Sequence, residues 1–148
     1  MEADRLGASQ GVKVKVVVDT NFLLMMAQGV IAPSSLNDAI NASYELVTTD
    51  AVVKELETMS KREDLLAREA GFALKLLERL GVQVLRVKAG SADESILTLA
   101  KELVQNGDRV VVATNDKNLR RSIRGLGVPT LYLREEGLRL EIDWNPLL

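Results

Sequence analysis

Asp19, Glu55, Asp93 and Asp116 are the residues whose type and placement could do chemistry in this chain. Two of them follow apolar runs of strand character: Val14 to Val18 leads into Asp19-Thr20-Asn21, and Val110 to Ala113 leads into Thr114-Asn115-Asp116. A helix-patterned segment follows each run, so each acid stands at a strand's carboxyl end, where open α/β sheets form their ligand crevices. If both strands are parallel and central, the two carboxylates converge and repel unless a cation or a shared proton compensates them. The chain has no histidine and no cysteine. Thiol chemistry, disulfides, Cys/His zinc sites, Ser-His-Asp triads and imidazole acid/base work are therefore excluded together. The reactive groups left are carboxylates, hydroxyls, amides, Lys, Arg and Tyr, and carboxylates without imidazole suit hard cations such as Mg²⁺ or Mn²⁺.

The elements that must position these acids alternate along the chain. Residues 13 to 19 read as a Val-rich strand buried on both faces. A short helix from Asp19 to Gln28 follows, and a second opens at Pro33 with Leu36, Ala39 and Ile40 at helical spacing. Tyr44 to Thr48 is a second strand. From Asp50 a helix carries Val52, Val53, Leu56 and Met59, with Glu55 half-buried on the flank of that stripe. Lys61 to Leu80 reads as one long amphipathic helix with Leu65, Leu66, Ala70, Ala73, Leu74, Leu77 and Leu80 inward. Val82 to Val87 is a third strand.

Ser91 and Glu94 form a capping box, and Asp93, outside that box, is placed on the core-facing side of a helix reaching Val104. Arg109 to Ala113, a helix to Leu126, Val128 to Leu133 and an edge strand over Leu138 to Ile142 complete the order. This alternation predicts an α/β fold with a mainly parallel, roughly five-stranded sheet. Residues 1 to 12 read as a flexible leader, and 13 to 148 as a single domain.

A chain of 148 residues with 47% hydrophobic content and a net charge of -2 fits an ordinary globular protein, one that buries about 70% of its unfolded surface. Its apolar runs are too short to span a bilayer, and Met1 to Gln10 lacks the apolar core of a secretory signal, so a cytoplasmic address and no membrane partner are expected. Each acid alone has an ordinary structural role: an Asp at a helix start caps it, and most helix glutamates face water. The combination is the signal, because two strand ends and two helices deliver acids to positions that can meet. Thr20, Asn21, Thr114 and Asn115 are short polar neighbours able to orient them.

Val18-Asp19-Thr20-Asn21-Phe22, Asp50 with Glu55-Leu56, Ala92-Asp93-Glu94 with Ile96-Leu97, and Val112-Ala113-Thr114-Asn115-Asp116 with Leu119-Arg120 resemble, in order, the four acidic motifs of the PIN-domain ribonucleases. The stretch Val111 to Leu133 most resembles the branch whose eukaryotic members act in pre-ribosomal RNA processing for the small subunit. The resemblance implies a PIN-like three-layer α/β/α sandwich and a metal-dependent endoribonuclease that hydrolyses RNA phosphodiester bonds. It further implies an acidic site of Asp19, Glu55, Asp93 and Asp116 with one or two Mg²⁺ or Mn²⁺ ions. Asp19 and Asp116 would be the principal ligands, Asp93 would bind the same ion or a second one, and Glu55 would ligate or act as base. Asn21, Thr114 and Asn115 would support them.

Arg109, Lys117, Arg120, Arg121, Arg124, Arg134 and Arg139 outnumber Asp116, Glu135 and Glu136 in the segment beside this site. Lys117, Arg120, Arg121 and Arg124 are thus candidates to hold RNA phosphates, unless they only solvate their helix. With five aromatic residues, the chain is poorly equipped to read bases by stacking. Pre-ribosomal RNA, a homodimer or ribosome-assembly proteins are the partners expected. The alternatives are a toxin-type PIN ribonuclease held by an antitoxin, and a non-cleaving domain that binds RNA or a ribosome-assembly partner. No Asp-x-Asp follows the first strand and no Gly-x-x-x-x-Gly-Lys loop occurs, which speaks against phosphatases and P-loop proteins.

Overall fold

The computed structural model describes residues 13–143; the leader expected over 1–12 and residues 144–148 lie outside the described residues. Strands β1 (Val14–Val18), β2 (Tyr44–Thr49), β3 (Gln83–Leu85), β4 (Arg109–Ala113), β5 (Thr130–Arg134) and β6 (Arg139–Asp143) form one sheet in the order β3-β2-β1-β4-β5-β6. All neighbours are parallel except β5 and β6, which pair antiparallel across a short 3₁₀ turn at Glu136–Leu138. The sheet has six strands against the rough count of five, and the edge strand expected over Leu138 to Ile142 is β6, Arg139–Asp143.

Between the strands run α1 (Thr20–Ala27), α2 (Ser34–Ile40), α3 (Asp50–Ser60), α4 (Leu65–Arg79), α5 (Ala92–Gln105) and α6 (Lys117–Gly125). The chain moves outward from β1 to β2 and β3, then α5 carries it back across to β4 on the other side of β1. Right-handed crossovers running in opposite directions put their helices on opposite faces, which makes three layers. β1 and β4 flank the point where the direction reverses, the place where such sheets open a crevice.

Local chemistry explains most boundaries. Val16, Val17, Val18, Val111, Val112 and Ala113 are buried because both faces of the central strands are covered. Lys15, the one charge in β1, is the register partner of Glu45 on β2 and pairs with it there. β5 starts at Thr130 and not at Val128, since Pro129 has no amide to give the ladder.

The helix expected from Lys61 starts instead at Leu65, where the Asp64 carboxylate accepts from the Ala67 amide at 2.9 Å. Leu65, at its first position, is 68% exposed and not inward. The third strand keeps only three residues of the six expected. The core under the site is built from Phe22, Leu23, Leu56, Ile96 and Ile123, each fully buried.

Candidate active site

The β1–β4 pairing brings the two strand-end acids together. Val18 lies beside Ala113, and the ladder continues one step further as the Asp19 amide donates to the Ala113 carbonyl at 3.2 Å. Asp19 is 4% exposed and caps α1, its Oδ1 accepting from the Phe22 amide at 2.8 Å. Asp116 caps α6, its Oδ1 accepting from the amides of Asn118 and Leu119 at 2.9 and 3.0 Å. Each carboxylate therefore has one oxygen committed to a helix start, which fixes the side chain at the cleft that both residues line.

Thr114, fully buried, accepts from the Asp116 amide at 3.0 Å through Oγ1. Asn115 clamps the turn to β5: its Nδ2 donates to the Leu133 carbonyl at 2.9 Å and its Oδ1 accepts from the Leu133 amide at 2.8 Å. The side chain takes the place of a missing strand residue and fixes the loop that presents Asp116.

Asp19, Glu55, Asp93 and Asp116 all line one cleft of about 410 Å³, together with Thr20, Asn21, Leu24 and Met59. Two orientations differ from expectation. Glu55 is exposed and not half-buried, because the buried stripe of α3 runs through Val52 and Leu56 and turns Glu55 toward the cleft mouth. Asp93 is likewise exposed and not core-facing, the core side of α5 being taken by Ser95, Ile96 and Leu99. The capping box at Ser91 forms on one arm, with Ser91 Oγ accepting from the Glu94 amide at 3.1 Å, while Glu94 reaches back to the Gly90 amide.

The acids feel one another. Burial pushes the Asp19 carboxyl up to about 6, the Thr114 hydroxyl and Phe22 amide pull it back, and the charges of Asp93 and Asp116 push it up further. Asp93 is also raised, first by burial and then by Asp116 and Glu55. Among the described residues four carboxylates and no cation line this cleft, which concentrates negative charge there.

Among the described residues no three acids converge into a ready-made cage. The donor set still fits a hard ion that keeps several of its waters, as Mg²⁺ does. Among the described residues carboxylate oxygen is the only charged donor lining the cleft, and Thr20, which also lines it, has a buried Oγ1 with no partner, as a polar group awaiting a water or an ion would.

The helices carrying Glu55 and Asp93 are tied by residues that sequence reasoning missed. Thr49 Oγ1 accepts from the Val52 amide at 3.1 Å, capping α3, and lies 2.7 Å from Ser95 Oγ on α5. Thr48 Oγ1 donates to the Val18 carbonyl at 2.7 Å, one residue before Asp19. Asp50 Oδ1 accepts from the Val87 amide at 3.0 Å and holds the approach to α5. The available signal was local: a Thr-Thr-Asp run at a strand end, and a serine inside the apolar stripe shared by Ile96 and Leu99.

Thr49→Ala removes a cap and leaves a buried Ser95 hydroxyl short of one partner. It is expected to cost about 1–3 kcal/mol in a denaturant melt. An unchanged midpoint would mean that the two helices are held without that pair.

The basic helix makes contacts within the fold that its sequence does not announce. Arg120 does not point its charge at the cleft: its guanidinium donates to Asp143 Oδ2 at 3.2 Å, approaches Thr130 Oγ1 at 3.4 Å and stacks 3.7 Å from the Tyr132 ring centroid. Arg124 shares Asp143 at 3.2 Å. These contacts fasten α6 to β5 and β6. Lys117 and Arg121 are exposed, and none of the four lines the acidic cleft.

A family model described as a PIN like domain matches residues 16–136. Ribonuclease VapC4 of Methanocaldococcus jannaschii is 32% identical over 124 residues, which is 82% of this chain and 92% of that protein. Ribonuclease VapC9 of Archaeoglobus fulgidus is 32% identical over 140 residues, 92% of this chain and 93% of that protein. Among solved structures, the PIN domain endonuclease Utp24 superposes with a TM-score of 0.68 at 25% identity, covering 88% of this chain and 92% of its own. A domain of a functionally unknown M. jannaschii protein shares the fold, with a TM-score of 0.54 at 16% identity over 81% of this chain and 91% of its own. With four acids presented from the expected strand ends and helices, and with matches that span nearly the whole fold, the chain belongs to the PIN-like domain family.

Proposed function

We propose that the chain is a metal-dependent endoribonuclease that hydrolyses RNA phosphodiester bonds. One observation carries this reading: carboxylates from two parallel strand ends and two helices line a single cleft to which the described residues contribute no cation. Asp19 and Asp116, each with one oxygen held by helix amides, would hold Mg²⁺ or Mn²⁺, and Asp93 would hold the same ion or a second one. When bound, the ion supplies Lewis-acid chemistry, lowering the pKa of water and offsetting charge on the phosphodiester. Glu55, exposed at the cleft mouth, is free to accept a proton from the attacking water. Thr114 and Asn115 keep Asp116 in place, and Asn21 at the rim is a polar contact for substrate.

The setting we favour is cytoplasmic ribosomal RNA processing, on the resemblance carried by Val111 to Leu133, with ribosome-assembly proteins or a second copy of the chain as partners. A second setting, a toxin-type ribonuclease held by an antitoxin, is favoured by the two VapC-named relatives that match most of the chain. Cleavage of a pre-ribosomal RNA fragment and of unrelated RNAs is to be followed with Mg²⁺, Mn²⁺ or EDTA. One site-specific cut in the ribosomal fragment supports the first setting. General cleavage with growth arrest on expression supports the second. RNA binding without cleavage in either metal overturns the enzyme reading in favour of a non-cleaving domain.

A further inference from the structure

The acidic cleft continues past Glu55. A second groove of about 460 Å³, lined by Ala51, Lys54, Thr58 and the loop from Ala89 to Ala92, shares Glu55 and Met59 with it. The two hollows adjoin along α3, where Glu55 and Met59 line both, and together they make up the trench. Together they are large enough to take more than the reacting phosphate, since ligand sites start at about 300 Å³.

The trench differs in charge along its length. Among the described residues no cation lines the acidic part, whereas Lys54 lines the second part, exposed and paired with no acid. The cations of α6 line neither part, and two of them are spent on Asp143. A polyanion whose one phosphate lies among the acids is repelled there and gains where an accessible cation lines its path, as Lys54 does in the second groove. Met59, Ala51 and Ala92 are half-buried and give the trench an apolar floor, and a thioether packs favourably on a flat π face.

We propose, resting on the ribonuclease reading, that this groove is the nucleotide subsite beside the scissile phosphate. An RNA strand crosses α3, with a base on Met59 and the neighbouring phosphate on the Lys54 ammonium, and does not run along α6. Lys54 and Met59 then set how the strand enters the acidic cleft.

Two measurements on the full chain test this with a short unstructured RNA. Cleavage is measured with Mn²⁺ for the parent, Lys54→Glu, Lys54→Arg, Met59→Ala and Arg121→Glu. Binding is mapped by backbone amide shifts in EDTA. Lys54→Glu is expected to lower kcat/KM about 10-fold, mainly through KM, as loss of a charge-assisted phosphate contact does. Lys54→Arg should stay near the parent, Met59→Ala should also raise KM, and Arg121→Glu should have little effect.

Amide shifts should fall on 51–59 and 89–92. Cleavage that is sensitive to Arg121→Glu and indifferent to Lys54→Glu, or shifts confined to 117–124, would overturn the subsite while leaving the ribonuclease standing. Shifts in the groove without cleavage of any RNA would keep the subsite and remove the ribonuclease reading. Neither binding nor cleavage would remove both.

Discussion

Asp116→Asn should remove RNA cleavage while leaving the fold and RNA binding in place. The substitution isolates charge: Asn is as good a helix cap as Asp, and its Oδ1 can keep accepting from the Asn118 and Leu119 amides. What disappears is the negative charge at the cleft. A positioned charge-stabilising group of this kind is worth about 10²–10³ in rate when it is lost, and no histidine or cysteine exists in the chain to substitute for it. Single-turnover cleavage with Mn²⁺ measures the rate, and fluorescence anisotropy in EDTA measures binding. Equal cleavage by parent and variant would reject the metal-nuclease reading. A variant that melts well below the parent would show that the capping role of Asp116 needs its full charge.

Asp19→Asn is expected to stabilise the metal-free protein above neutral pH, and the sign follows from the raised carboxyl. The folded chain holds this proton more tightly than the unfolded chain does, so stability falls as pH rises from the ordinary 3.8 through about 6 and stays lower above it. The whole range corresponds to about 3 kcal/mol. Asparagine keeps the Phe22 amide partner and never ionises, so in EDTA the variant should melt higher than the parent at about pH 7.5 and close to it at about pH 4.

Saturating Mn²⁺ should reverse the order, adding about 4.1 kcal/mol to the parent at a thousandfold excess over its Kd and little to the variant. Thermal melts across pH, with and without metal, read both effects. A variant less stable than the parent at about pH 7.5 in EDTA would mean that Asp19 is mainly a helix cap. Equal Mn²⁺ stabilisation of Asp19→Asn/Asp116→Asn and the parent would move the metal elsewhere. The raised carboxyl is then a stability cost carried for function, a common exchange at active sites.

The sequence by itself determined what local interactions decide. Val-rich runs ending in Asp19 and Asp116 are legible as strands leading to helix caps, because a cap bonds amides only two or three residues away and burial of a central strand shows in every residue of the run. The helical stripes of α3 and α5 were legible for the same reason, and so was the absence of any imidazole or thiol to share the chemistry. Tertiary structure alone decided what each side chain meets. Periodicity placed Glu55 on the flank of its helix and Asp93 on the core-facing side of its own, but whether such a position is buried depends on which element covers it, and there the cleft opens instead.

Arg120 looked like a phosphate ligand beside the acids until the antiparallel β6, arriving from 23 residues further along, put Asp143 in its reach. The Thr49–Ser95 pair and the trench past Lys54 arise likewise from segments more than 30 residues apart. Contacts of that range are set by the order of strands and the hand of crossovers, and these depend on the packing of the whole chain, which no short window contains.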